Sequence, residues 1–428
     1  MNKFFLRLLQ NQNKRHKKKH KRHKKKTSNF SFLDDLLCDE LLEQILCRLE
    51  LKTVHRCKSV CKRWLSLVSS AEFIDQYVRF QQSVSPTSSR FYLAFELQRQ
   101  ASRHSSYRLD IGKAEASSSS SSSKSFDFDT YPKHTTRRPW VYYSDLIGSW
   151  NGLVLCQETF EEFLQKPRYS VCNPITRDWL VLPPYEFKGS HQAGFIDDDD
   201  GLITTTRGFK VALVEVDQNK SGVGNYLNIS VFSSCTGEWR SQRVLCREPV
   251  FFAGVRGLFS CNRMLYWGNV KNPNFIIGYD TSKMPPPDEC TYIDLPPEYK
   301  ERERSFHAVN DGLFIGVSQG RILICETLLE QSQPLCIWEL QDCTTSSWRL
   351  KHKLVVDSVL NRRIIVAFHP IDGDIVYLAK WKDGIHSLNM KNKKKQIVEN
   401  TKAWRCAVPF FLPWWQARLQ DQNNSKQT

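Results

Sequence analysis

Apolar and polar positions change period once along the chain, and the change divides it. In FLDDLLCDELLEQILCRLELKTVHRCKSVCKRWLSLVSSAEFI (32–74), Leu41, Leu42, Ile45, Leu46 and Leu49 recur at helical spacing on one face. Asp39 and Glu40 precede them, suited to capping and to the positive end of a helix. After a short break, Thr53 is placed to cap a second helix. Val54, Cys57, Cys61, Trp64 and Val68 then form one stripe of period 3.6. His55, Ser59, Lys62, Arg63 and Ser66 occupy other faces. The pattern predicts helices over 32–80 and a linker over 81–90, where VSPTSSR is rich in Pro and Ser. Short apolar runs separated by turn residues predict strands over 91–413. Residues 414–428 read as a frayed tail.

The strand region repeats itself weakly. YSVCNPITRDWLVLP (169–183), ISVFSSCTGEWRSQ (229–242), IIGYDTSKM (276–284), CIWELQDCTTSSWRL (336–350) and IHSLNMKNKKKQIV (385–398) each join a strand to a polar turn, often followed by Trp. An apolar strand precedes each unit, as in GSWNGLVLC (148–156) and DGLFIGVSQGRILIC (311–325). A period near fifty residues built from short strands predicts the blades of a β-propeller, six or seven in number. RFYLAFEL (90–97) and YRLDIG (107–112) are expected to supply a further blade. A two-sheet sandwich is the alternative, though the region is long for one. The fold class is therefore α+β multidomain: a small all-α module followed by a mostly-β, propeller-like domain. Trp150, Trp179, Trp239, Trp267, Trp348 and Trp381 are expected in the blade cores.

Charge is concentrated at one end. The formal net charge is +16, and the first thirty residues hold twelve Lys and Arg and no acid, so the rest of the chain carries +4. Lys14, Arg15, Lys17, Lys18, Lys19, Lys21, Arg22, Lys24, Lys25 and Lys26 lie in an unbroken basic run with three histidines. Such a block repels itself and is expected to be a disordered tail over 1–31. It suits nuclear import, and the expected location is nucleus and/or cytoplasm. Attraction to nucleic acid is the other reading, and it makes a nuclear nucleic-acid-associated scaffold the alternative function. No run of eighteen apolar residues predicts a membrane helix, and no membrane partner is expected.

HRCKSVCKRW (55–64) holds one histidine and two cysteines within seven residues. Helical phase puts both cysteines on the apolar stripe and turns His55 away, which favours packing over a metal site. Fourteen cysteines occur without a CxxC pair, most within apolar runs, so buried free thiols are expected and no metal. No catalytic constellation emerges: GxxxxGK[ST] and GxSxG are both absent, and no cofactor is implied. The acidic run 197–200 is expected to be solvated, and the serine run 116–125 to form a flexible loop.

The helical segment resembles an F-box. The residues that carry this are LCDELLEQILCRL followed by KTVHRCKSVCKRW and a short link to EFI. Leu37-Cys38 stands where the family usually has Leu-Pro, and Glu50 where a second proline is common. The strand region resembles, more loosely, the F-box-associated, kelch-like region of plant F-box proteins, through GSWNGLVLC, CNPITRDWLVLPP, FKVALVEV, SVFSSCTGEW and LYWGN. It lacks the Gly-Gly doublet of true kelch repeats.

The resemblance implies a substrate-recognition subunit of an SCF-type (Skp adaptor–cullin–F-box) ubiquitin ligase, itself not an enzyme. By matching position, it places adaptor contacts at Leu37, Leu41, Ile45, Leu46, Leu49, Val54, Val60 and Trp64, with some of these closing the module's own core. Its implied partners are a Skp-family adaptor, a cullin–RING ligase reached through it, and a target protein held by the β domain.

Overall fold

The computed structural model describes residues 38–84 and, with breaks, 91–419; the longest breaks are 114–127, 130–140, 197–207 and 301–312. The basic run, Leu37, the serine and acidic runs and Trp381 lie outside the described residues. The chain forms two compact units that divide between Phe73 and Ile74.

Four helices come first: α1 (Asp39–Cys47), α2 (Leu51–Cys57), α3 (Lys62–Ser69) and α4 (Ala71–Val84). Asp39 and Glu40 sit in the first turn of α1, where they face the helix dipole, but Cys38 is the cap residue and its side chain makes no capping bond. The cap expected of Thr53 does not form. A tight turn, with Leu49 N–H on the Leu46 carbonyl at 3.1 Å, brings the chain round early, and α2 starts at Leu51 after an extended Glu50. The single stripe expected over 54–68 is also broken. Ser59 Oγ donates to the Arg56 carbonyl at 2.8 Å, competing with the helical bond there. Cys61 is extended and starts α3, so it leaves the stripe and is half-exposed. Ser70 Oγ accepts the Phe73 N–H at 3.1 Å and caps α4. That helix runs on to Val84.

The second unit is a β-propeller. Six four-stranded antiparallel sheets occur among the described residues. Blades 2 to 6 are consecutive in sequence and span 141–181, 191–250, 259–294, 313–354 and 364–399. Blade 1 is composite. Its outer three strands are Phe91–Arg99, Ser106–Lys113 and Phe128–Asp129, and its innermost is the C-terminal strand Trp404–Phe411. The first strands of blades 2 to 6 and this C-terminal strand meet neighbour to neighbour around the ring. In this unit the Tyr77 ring of α4 also meets Trp415 edge-on at 5.4 Å.

Each pair of neighbouring blades shares a core, six in all among the described residues. The strand Lys210–Asp217 shows how. Val211 and Leu213 pack toward blade 2, while Ala212, Val214 and Val216 pack toward blade 4. With both faces buried, such strands read as unbroken apolar runs rather than alternating ones.

The repeat seen in sequence has a physical basis in its turns. Asn173, Asp280, Asp342 and Asn389 each end the third strand of a blade. Each side chain accepts backbone N–H groups two or three residues on, as Asn173 Oδ1 does from Ile175 at 3.0 Å. These are Asx turns, which fix the hairpin without glycine.

The tryptophans need a correction. Trp267 is fully buried, but Trp150, Trp179, Trp239 and Trp348 are half-buried at blade seams. Trp239 Nε1 donates to the Pro183 carbonyl at 3.0 Å, and Trp348 Nε1 to the Asp294 carbonyl at 2.7 Å. Each therefore fastens its own blade to the preceding one, with its indole N–H at the seam and its ring against the blade core.

Candidate functional site

The helical unit separates its apolar residues into two sets. Leu42, Leu46, Cys47, Val54, Cys57, Val68 and Phe73 are buried inside it. Leu41 is 50 % and Leu65 47 % exposed, and Ile45, Leu49, Val60 and Trp64 are half-buried. This second set is apolar surface on α1, α3 and the turns that follow α1 and α2. The sequence-predicted contact residues are therefore split. Leu46 and Val54 are wholly inside, so they support the surface rather than belong to it. Leu65, missed from sequence, joins the exposed set; its phase beside Trp64 in KRWLSL was the available signal.

The charges stabilise this arrangement modestly. Arg63 donates through Nε at 2.9 Å and Nη2 at 2.8 Å to Asp39 Oδ1, joining the start of α3 to the first turn of α1. At a part-exposed site such a pair is worth about 0.5 kcal/mol. Burial pushes the Cys47 and Cys57 thiols up to about 11, which suits packing groups and not nucleophiles or metal ligands. Among the described residues, no cluster of three His, Cys, Asp or Glu side chains is placed to hold a metal.

Where prolines are usual in the resembled family, this chain keeps their geometry. Cys38 has φ −66° and Glu50 φ −62°, both extended in ψ and both close to the value a proline ring imposes. Glu50→Pro should therefore raise the stability of the helical unit by about 0.5 kcal/mol, by restricting the unfolded chain. Denaturant titration followed by far-UV circular dichroism checks it; a loss of stability would show that the Glu50 N–H is needed.

Short helices with an apolar surface, joined to a closed propeller, define the class: an F-box protein with a β-propeller region. The comparisons agree. The F-box domain profile matches residues 35–76, and the profile "F-box protein At3g26010-like, beta-propeller" matches 121–423. The chain belongs to that propeller family. F-box protein At3g26010 of Arabidopsis thaliana is 27 % identical, covering 85 % of this chain and 79 % of its own. F-box protein At1g49990 of the same plant is 26 % identical, covering 78 % and 80 %. Among solved structures, the periplasmic gluconolactonase of Pseudomonas aeruginosa covers 76 % of this chain and all of its own at 12 % identity, with a TM-score of 0.38.

Proposed function

We propose that this protein is the substrate-recognition subunit of an SCF-type ubiquitin ligase. The F-box holds a Skp-family adaptor, and through it a cullin–RING ligase. The propeller holds a target protein. The observation that carries the reading is the F-box match over 35–76 on the same chain as the propeller. The surface formed by Leu41, Ile45, Leu49, Val60, Trp64 and Leu65 supports it, being apolar helical surface suited to a partner's groove. Transfer of ubiquitin would then follow from proximity, because a tethered target meets the charged conjugating enzyme at high effective concentration. Such a receptor needs no catalytic residue of its own. The basic run over 14–26 is read as a nuclear-import signal, which would let the receptor work in the nucleus as well as the cytoplasm.

Co-purification with the Skp adaptor tests the reading. The wild-type chain is expected to retain the adaptor. Leu41→Asp with Ile45→Asp is expected to lose it while keeping its far-UV circular dichroism, because neither side chain is fully inside. If the wild-type chain does not retain the adaptor, the reading fails.

A further inference from the structure

The outer seam between blades 3 and 4 carries a contact that packing alone does not require. Glu238–Val250 is the outermost strand of blade 3. Near its end it meets the segment leading into Thr291–Asp294, the outermost strand of blade 4. Leu245 and Glu289 form a parallel bridge, with Leu245 N–H donating to the Asp288 carbonyl at 3.0 Å. On either side, Gln242 Nε2 donates to the Pro287 carbonyl at 3.1 Å and Arg247 N–H to the Tyr292 hydroxyl at 2.6 Å.

One step beyond the bridge, Cys246 and Cys290 stand opposite each other with their Sγ atoms 3.9 Å apart. Paired strands lie about 4.8 Å apart. That falls within the roughly 4.4–6.8 Å between Cα atoms that a disulfide spans. Cys246 is buried, and Cys290 is part-exposed. The pair is therefore reachable from its Cys290 side, and the hydrogen bonds around it hold the two backbones in register.

We propose that Cys246 and Cys290 form a reversible disulfide that staples blade 3 to blade 4 when the protein meets a peroxide. The first thiol to react does so as its thiolate. It takes one oxygen from hydrogen peroxide, releases water and becomes a sulfenic acid. The second thiol displaces that oxygen as a second water, and the S–S bond forms. Two electrons have left the sulfurs and the O–O bond has been reduced. A dithiol reductant reverses the step by exchange.

The surroundings favour this pair over the other described thiols. The hydrogen bond with Cys290, and a weaker one with Tyr292, hold Cys246 below the usual thiol range against the opposing effect of burial. The same contact, with burial, pushes Cys290 well up, so Cys246 is the thiol that ionises first and Cys290 the one that completes the link. Cys325 and Cys57 are pushed up by burial. The two cysteines are 44 residues apart, so the link closes a long loop and restricts the unfolded chain. The inference is independent of adaptor binding.

The test uses the full chain treated with hydrogen peroxide, alkylated, digested and mapped by mass spectrometry. The expected result is a linked peptide pair containing Cys246 and Cys290. The melting midpoint should rise by about 5 °C, and dithiothreitol should reverse both changes. Cys290→Ala should abolish the linked pair and the rise. An oxidised wild-type chain without that link, or with the link but no rise, overturns the proposal. Mapping of the wild type decides the matter even where the variant does not fold.

Discussion

Truncation after residue 403 abolishes the cooperative unfolding of the propeller; this is the largest effect expected from any change to the chain. Trp404–Phe411 is the innermost strand of blade 1 and hydrogen-bonds along Phe91–Arg99. Phe410 is completely buried, and with Val408 it completes the core shared by blades 1 and 2. Ala407 lies in the core shared by blades 6 and 1. Removing the strand opens both cores and leaves one edge of Phe91–Leu97 unpaired, the other edge keeping Ser106–Lys113. An unmade buried hydrogen bond costs about 1–3 kcal/mol, so several of them exceed the whole stability of an ordinary domain.

A narrower form of the same experiment avoids the truncation. Phe410→Ala should cost about 4 kcal/mol through the cavity it leaves. Urea titration of the wild type, the variant and the truncated chain measures both effects. A truncated chain with the wild-type midpoint would show that the ring does not depend on its closing strand.

The second large effect separates the two sets of helical residues. Leu46→Ala should cost about 3 kcal/mol and unfold the helical unit, because Leu46 is completely buried and so small a unit has little stability to lose. Leu41→Ala should change its stability by no more than about 0.5 kcal/mol, Leu41 being half exposed. Far-UV circular dichroism and denaturant midpoints distinguish the two. Under the proposed function, Leu41→Ala should weaken adaptor retention with the unit still folded, and Leu46→Ala should remove adaptor and fold together. Equal stability losses at the two positions would contradict the division into inner and outer residues.

These positions also show how far the sequence could be read. Leu41 and Leu46 both lie on the apolar face of α1, and periodicity marks that face without saying which part of it meets the other helices. Val54 stands among the contacts by its matching position in the resembled family, and position alone does not separate inner from outer residues either. The break at 58–61 was missed because a side-chain bond from Ser59 to the backbone leaves the apolar spacing unchanged. In the propeller, the hairpins were legible because an Asx side chain acts on its own neighbours, within three residues. Trp239 and Trp348 were assigned to blade interiors because their recurrence is visible and their acceptors are not. Those acceptors, Pro183 and Asp294, lie more than fifty residues away on the preceding blade.

The division follows the range of the interactions. By itself the sequence determined the helical and strand regions, the fifty-residue repeat and its turns, and the F-box resemblance, all of which rest on neighbours close along the chain. Only the tertiary structure decided which apolar residues of α1 and α2 are interior, which tryptophans tie one blade to another, and how the ring is closed. The pairing of Phe91 with Phe411 spans nearly the whole propeller. No periodicity encodes such a contact, because its partners are 411 − 91 = 320 residues apart and neither marks the sequence around the other.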